Sequence, residues 1–144
     1  MCLNWFKNRD IPDPDIIGTI NYNDLRMILK QAMGDIPIYL PDNTYKIATK
    51  ASFYQFLIND KTDKYLYTGD PGYDCDDYAN CLHGNASIPK WATVPIGTVW
   101  LSTPAHAVNF FVDENFIIWY VEPQNDKMYK VIEKTDWVPA VAWL

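Results

Sequence analysis

The sequence predicts one α+β domain, with helices in its N-terminal half and an antiparallel sheet in its C-terminal half. Two segments before residue 60 carry apolar residues at helical spacing, and a third such segment begins at Cys75. After Gly84 the pattern changes to short apolar strands separated by turn residues. Because helices and strands do not alternate, the pattern favours an α+β fold over repeated βαβ units.

Composition narrows the classes of function. The chain has 144 residues, of which 49% are hydrophobic and 15% aromatic, so a disordered chain is excluded. The net charge of −6 argues against a nucleic-acid partner, because few cations are present to replace the counterions of phosphate. Apolar runs are shorter than the ~18 residues of a membrane span, and the N-terminus lacks the pattern of a secretion leader. We therefore expect a cytoplasmic protein with no membrane partner and a single domain over 1–144.

The N-terminal segment, residues 1–22, is expected to form an extended arm. Pro12, Pro14 and Gly18 interrupt any helix there. The arm is predicted to pack across the domain through its apolar side chains, which are Trp5, Phe6, Ile16 and Ile17.

Two helices are predicted before residue 60. The first is expected to begin at a cap at Asn23 or Asp24 and to end at Gly34. The second begins after Thr49 and ends near residue 59. Between them, residues 36–40 contain a proline and allow at most an edge strand. The buried residues of the second helix are predicted to be Phe53, Phe56, Leu57 and Tyr54.

A third helix is expected from Cys75 to His83, with Asp74 as its cap and Gly84 as its end. Its inner face is predicted to hold Cys75, Tyr78, Ala79 and Leu82. The helix start favours a thiolate, because unpaired backbone N–H groups point toward the thiol. Cys75 is therefore a candidate nucleophile. His83 is expected on the outer face, in a structural role.

Strands are predicted at 96–102, 106–112, 116–122, 127–133 and 137–144. If residues 113–115 form a three-residue hairpin loop, with Asn115 in the left-handed conformation, His106 faces Glu122 on the neighbouring strand. Directly opposed residues project on the same side of a sheet, so imidazole and carboxylate would be within reach. His106 and Glu122 are thus a candidate base and its orienting group, on the sheet face that meets the start of the cysteine helix.

The three motifs Asp-Cys-Asp-Asp-Tyr-Ala (74–79), His-Ala (106–107) and Trp-Tyr-Val-Glu-Pro (119–123) occur in a recognisable order. This order resembles the transglutaminase-like cysteine enzymes, and the first motif is nearest to the bacterial transglutaminase-like cysteine proteinases. The resemblance implies a transglutaminase-like (papain-like) core, a catalytic triad of Cys75, His106 and Glu122, and a protein or peptide substrate. The third member of that triad is usually Asp, so Glu122 departs from the pattern.

The expected chemistry is acyl transfer by a peptidase, amidase or transamidase. Cys75 would attack a carbonyl carbon, His106 would carry the proton, and Glu122 would hold the imidazole tautomer, with no cofactor required. Gln124 and Asp74 are candidate auxiliary residues. The resemblance also suggests calcium at Asp74 and Asp76, although helix capping and solvation are the preferred explanation of the acidic residues.

Two alternatives stay open. The first is a non-catalytic protein that binds peptide or carbohydrate on the same scaffold, because the segment 65–78 is rich in tyrosine. The second is a peptidoglycan hydrolase of the CHAP or NlpC type, in which Gln124 would occupy an auxiliary position. Reactivity of the Cys75 thiol separates the enzymes from the binding protein.

Overall fold

Three α-helices and eight strands build the part of the chain that the computed structural model describes, residues 10–144. The helices are α1 (Tyr22–Met33), α2 (Lys50–Asn59) and α3 (Cys75–Ala86). The strands are β1 (Ile16–Asn21), β2 (Ile38–Tyr39), β3 (Thr44–Ala48), β4 (Ile96–Thr103), β5 (Ala105–Val112), β6 (Ile118–Glu122), β7 (Lys127–Lys130) and β8 (Val138–Trp143). Two 3₁₀ helices lie at Thr62–Lys64 and Val131–Glu133.

A six-stranded sheet with the order β2-β8-β4-β5-β6-β7 forms the centre of the fold. Neighbouring strands are antiparallel, except that β2 runs parallel to β8. The predicted edge position of residues 36–40 is confirmed, since β2 is the short outermost strand. Strands β1 and β3 pair separately as a two-stranded antiparallel sheet.

The predicted separation of helices from sheet is wrong. Strands β1, β2 and β3 precede or lie between the helices, and strand residues outnumber α-helical ones in the described chain. The sequence pattern missed β1 because Ile20 is its only buried residue, so no apolar alternation marks the strand. The fold is mainly β-sheet, in contrast to the helix-rich core that was expected.

The N-terminal segment is also more ordered than the expected arm. Ile11 is buried, and the indole Nε1 of Trp91 donates to the carbonyl of Pro12 at 2.8 Å. Ile16 and Ile17 were predicted to pack inward but are exposed. Their strand instead pairs with β3. The other two residues predicted to pack, Trp5 and Phe6, lie outside the described residues.

Local capping signals gave most helix limits correctly. Gly34, with φ of 89°, ends α1, and the Thr49 side chain caps α2 through the N–H of Ser52. α1 starts slightly earlier than predicted, because the Asn21 side chain accepts from the N–H of Asp24 at 3.0 Å. Gly84 does not end α3, which continues to Ala86. None of the helices in residues 10–144 has the length and apolar character needed to span a membrane.

Each face of the large sheet carries its own hydrophobic cluster. Val108 and Phe110 of β5 belong to the cluster that includes α1 residues such as Leu25. Phe111 belongs to the other cluster, which includes α2 and α3 through side chains such as Leu82. The alternation of β5 thus fixes which helix contacts which face.

Candidate functional site

Cys75 is the first residue of α3, as predicted, and its free thiol is half-buried. A capping box fixes this helix start. The Asp77 carboxylate accepts from the backbone N–H of Asp74 at 3.2 Å, and the Asp74 side chain caps the N–H of Asp77. The Asp-Cys-Asp-Asp sequence therefore places the cysteine in the first turn, next to unpaired backbone N–H groups.

Helix α3 runs along β5 with its start toward the His106 end of the strand. The side-chain amide of Asn109 donates to the carbonyl of Ala79 at 2.8 Å, and both residues are buried. Leu82 then packs in the cluster that contains Phe111. Because the helix passes Asn109 before Phe111, its first turn lies toward the end of β5 where His106 stands.

His106 and Glu122 contact each other as predicted. The imidazole Nε2 donates to the Glu122 carboxylate, with 2.7 Å between Nε2 and Oε2. The side chains are 19% and 13% exposed, so the pair is shielded from most of the solvent. Since Nε2 is occupied, Nδ1 is the nitrogen left to exchange a proton with a neighbouring group.

The predicted hairpin register is wrong, although His106 and Glu122 still contact each other. Val112 pairs with Ile118 and Phe110 with Tyr120, so the register is shifted by two residues from the expected one. A shift of two preserves the face on which each side chain projects. The error of register therefore does not separate His106 from Glu122.

The hairpin loop is longer because Asp113 organises it. This buried carboxylate accepts from the N–H groups of Asn115 and Ile117 and from the indole Nε1 of Trp119, at 2.8 to 2.9 Å. Phe116, not Asn115, takes the left-handed conformation, with φ of 57°. The aspartate thus replaces the tight turn that the sequence suggested.

The structure does not join all three predicted triad residues. His106 and Glu122 project on the same face as Phe110 and Tyr120, opposite the face on which Asn109 contacts α3. Within residues 10–144 no hydrogen bond links Cys75 to His106. The predicted common face is therefore wrong, and any approach of the thiol to Nδ1 occurs around the end of the sheet.

Gln124, the predicted auxiliary residue, contacts Glu122 through its backbone. Its N–H donates to Oε1 of Glu122 at 3.4 Å. The N–H groups of Asn125 and Asp126 both donate to the Glu122 carbonyl, which closes a tight turn after β6. Glu122 is consequently held at both its side chain and its main chain.

Asp74, Cys75 and Asp76 place three possible metal-ligand atoms within 4.8 Å of one another. The Asp74 carboxyl hydrogen-bonds Asp76 and raises the Asp76 pKa, and the Asp74 charge acts in the same direction. Calcium takes six to eight oxygen ligands, whereas this group offers two carboxylates and a soft sulfur. The three residues alone are a poor fit for calcium and a good fit for helix capping.

Four tyrosines form a continuous group beside the start of α3, here called the tyrosine group: Tyr65, Tyr67, Tyr73 and Tyr78. Tyr73 contacts both Tyr65 and Tyr78, with ring centroids 5.3 and 4.7 Å apart. Tyr78 is buried and donates its hydroxyl to the Tyr65 carbonyl, whereas Tyr67 is 53% exposed. A buried ring thus supports exposed ones next to the Asp-Cys-Asp motif.

Some functional positions were missed or misplaced by sequence reasoning. His83 points inward and its Nδ1 lies 3.1 Å from Thr98 Oγ1, while burial lowers its pKa, so the outward orientation was wrong. Asn109 was passed over as one polar residue in an apolar strand. A buried asparagine needs partners, and that requirement was the available signal for its contact with α3.

No protein-family model matches this chain, and no curated protein matches it either. Several chains of solved structures are similar, including the following two. A complex of PSL1a with E64 has a TM-score of 0.74 at 20% identity, covering 88% of this chain and 51% of that one. The Polyporus squamosus lectin, bound to the human-type influenza-binding epitope Neu5Aca2-6Galb1-4GlcNAc, has a TM-score of 0.71 at 20% identity, covering 88% of this chain and 49% of the lectin.

This chain shares the fold of those lectin structures. It spans about half of their length. The predicted membership of the transglutaminase-like enzymes is therefore corrected, and with it the transglutaminase-like core. The expectations of a cysteine protease and of a protein or peptide substrate also lose their basis, since they came from that resemblance.

Proposed function

We propose that this protein binds carbohydrate at the tyrosine group. The observation that carries the proposal is the position of partly exposed tyrosine rings beside the acidic start of α3, on a fold shared with a lectin. Tyrosine combines an apolar ring face with a polar hydroxyl, which suits a ligand that has C–H faces and many hydroxyl groups.

Two features of the group support binding over simple packing. Tyr67 is 53% exposed and Leu66 79% exposed, so the surface presents apolar area to solvent. Asp76 is also exposed and can accept hydrogen bonds from sugar hydroxyls. The buried hydroxyl of Tyr78 holds the Tyr65 backbone, so part of the surface is ordered before a ligand arrives.

The test is glycan-array screening followed by titration calorimetry of the best ligand. Tyr67→Ala should weaken binding by on the order of tenfold, because one stacking ring is lost. Tyr39→Ala is the matched control, since Tyr39 is 64% exposed on β2. Equal loss in both variants, or no ligand on the array, would contradict the proposal.

A second candidate function is a thiol-dependent acyl-transfer centre formed by Cys75, His106 and Glu122. Two observations favour it: the 2.7 Å contact between His106 and Glu122, and the complex of the similar PSL1a structure with E64. Thiolates are the side chains that attack electrophilic reagents most readily, so Cys75 is the residue at which such a reagent would react. One similar structure is a complex with E64 and the other is bound to a glycan, so both functions merit testing.

In this centre His106 Nδ1 would take the Cys75 proton, since Nε2 is held by Glu122. The thiolate would attack an amide or ester carbonyl, and the same imidazole would return the proton to the leaving group. The backbone N–H of Cys75, at the start of α3, is a candidate donor to the developing oxyanion. The peptidoglycan-hydrolase alternative has the same chemistry and stays a prediction.

The thiol centre is tested by incubating the protein with E64 and locating the adduct by mass spectrometry. Modification should occur at Cys75 and should disappear in Cys75→Ser. It should slow in His106→Ala, since the base is removed, while Cys75 stays accessible to a small disulfide reagent. An unmodified Cys75 would end this candidate and leave carbohydrate binding untouched.

A further inference from the structure

Three carboxyl groups are near enough for their charges to interact, and we call them the acid cluster: Asp60, Asp63 and Asp126. Asp60 is the residue that ends α2, Asp63 lies in the 3₁₀ helix Thr62–Lys64, and Asp126 lies in the turn itself. Asp60 is only 3% exposed. The acid cluster connects the turn to two elements distant in sequence.

The acid cluster is incompletely partnered. Asp60 accepts from the N–H of Thr62 at 3.0 Å and from the Asn85 amide at 2.6 Å. In contrast, one carboxyl oxygen of Asp63 and one of Asp126 are buried without a hydrogen-bond partner. A buried acceptor without a donor is costly, and the cost is greater when the group is charged.

The turn that carries Asp126 also fixes Glu122. The Asp126 N–H donates to the Glu122 carbonyl at 2.9 Å, and the Gln124 N–H contacts the Glu122 carboxylate. Asp126 itself has a left-handed backbone, with φ of 59°. A change in the packing of Asp126 therefore acts on the residue that orients His106.

We infer that Asp126 is a positioning residue whose protonation determines how firmly the turn after β6 holds Glu122 against His106. The inference deepens the thiol centre proposed above, and its meaning for activity rests on that proposal. When Asp126 is neutral, the cluster loses one of three negative charges and gains a hydrogen-bond donor. When Asp126 is ionised, repulsion from Asp60 and Asp63 pushes the turn outward.

Charges around Asp126 support this behaviour. Burial, followed by the charges of Asp63 and Asp60, raises the Asp126 pKa to about 7, and Lys64 and Lys61 oppose the shift. Lys64 is engaged in an ion pair with Asp63. A carboxyl whose pKa is higher in the folded state than in the unfolded state loses its stabilising contribution as pH rises toward the folded value. Stability should fall between about pH 4 and about pH 7.

The experiment compares Asp126→Asn with the native chain by thermal unfolding at about pH 4 and about pH 8. Asparagine tolerates the left-handed backbone and mimics the neutral acid. The variant and the native chain should melt alike at the lower pH, and the variant should melt higher by about 5 °C at the upper pH. Asp136→Asn is the matched control, since the Asp136 side chain is 72% exposed.

A measurement of the His106–Glu122 contact distinguishes a positioning role of Asp126 from an effect on stability alone. The NMR signal of the His106 Nε2 proton should weaken in the native chain as pH rises and persist in Asp126→Asn.

If Asp126→Asn does not fold, Asp63→Asn removes a neighbouring charge and should give the same trend with a smaller shift. Parallel pH dependence in variant and native chain would overturn the inference. So would a pH dependence that millimolar calcium abolishes, since the cluster would then be a cation site. Failure of E64 labelling alone would reject the thiol centre without affecting these results.

Discussion

Nε2 of His106 lies 2.7 Å from Oε2 of Glu122 although the two residues are not directly paired across β5 and β6. Asn109 pairs with Val121, and continuing this register places Glu122 opposite Val108. His106 therefore reaches its carboxylate diagonally, across one further pair on the same face. Diagonal neighbours are farther apart than direct ones, so the extra methylene of glutamate suits this contact. The glutamate that departs from the expected aspartate thus has a geometric reason.

Glu122→Asp should break this contact more completely than its conservative chemistry suggests. The shorter side chain retains the charge but loses the reach, so the His106 Nε2 proton should exchange faster with solvent. We expect alkylation of Cys75 by E64 to slow by on the order of tenfold, because the imidazole is no longer oriented. The measurement is the labelling rate by mass spectrometry, with NMR of the imidazole as the structural readout.

Glu122→Gln distinguishes the effect of the length of the Glu122 side chain from the effect of its negative charge. The amide keeps the length of the side chain and the fold, but it removes the negative charge that stabilises an imidazolium. Labelling by E64 should slow, while the unfolding midpoint should stay close to that of the native chain. A native labelling rate in both Glu122 variants would show that the pair has no part in thiol chemistry.

Gly84→Ala should stabilise the protein. The sequence suggested a helix end at this residue, but Gly84 lies inside α3 and a Cβ there would meet no atom within 4 Å. Alanine in a helix interior is more favourable than glycine by about 0.5–1 kcal/mol. Urea unfolding monitored by circular dichroism gives the change, and a destabilised variant would mean that the glycine serves a contact absent from this structure.

Gly97→Ala should have the opposite effect. A Cβ at Gly97 would lie 2.2 Å from the carbonyl oxygen of Trp143 and 2.6 Å from Phe110 Cε1, so β4 would have to move from β8 or the ring would have to shift. Overpacking of this kind costs about 1–3 kcal/mol. Gly18→Ala is the control, because a Cβ there meets nothing within 4 Å. Equal unfolding midpoints for the two variants would contradict the packing described at Gly97.

Signals that act within a few residues gave reliable predictions. Thr49, Gly34 and the Asp-Cys-Asp-Asp motif fixed helix ends through hydrogen bonds to nearby backbone groups, and the structure has them as expected. The strand that ends at Glu122 was found from its apolar run. These features depend on local chemistry that is visible in a short window of sequence.

Long-range pairing was where prediction failed. The hairpin register depended on Asp113, whose three acceptor contacts build a longer loop than a turn rule allows. Strand β1 buries only Ile20, so it does not show the alternation of a strand on a large core, whereas β3 buries Tyr45 and Ile47 in alternation. The family resemblance failed for a related reason: three short motifs in order do not specify how a sheet is assembled.

The candidate site was also predicted correctly in its local contact and wrongly in its long-range arrangement. His106 and Glu122 were predicted as partners and are partners, but the face was wrong because α3 contacts β5 through Asn109. Asn109 lies three positions after His106, an odd number, so regular alternation puts the two side chains on opposite faces of the sheet. Whether the thiol works with the imidazole is therefore a question for labelling experiments.

Asp74→Ala tests whether the acidic start of α3 serves capping or a cation. Asp74 closes the capping box with Asp77, and loss of a cap side chain costs about 1 kcal/mol of unfolding free energy. Asp74→Ser is the control, because serine can still cap the helix. The serine variant should recover most of the lost stability, as measured by urea unfolding.

A calcium titration tests whether Asp74 also binds a cation. The Asp74 carboxyl raises the pKa of Asp76 through a hydrogen bond and through its charge. The group at the helix start offers only two carboxylates and one thiol. We therefore expect no calcium binding at millimolar concentration by calorimetry. Heat of binding that disappears in both Asp74 variants would assign the helix start to a cation, because serine can replace the cap but not the carboxylate charge.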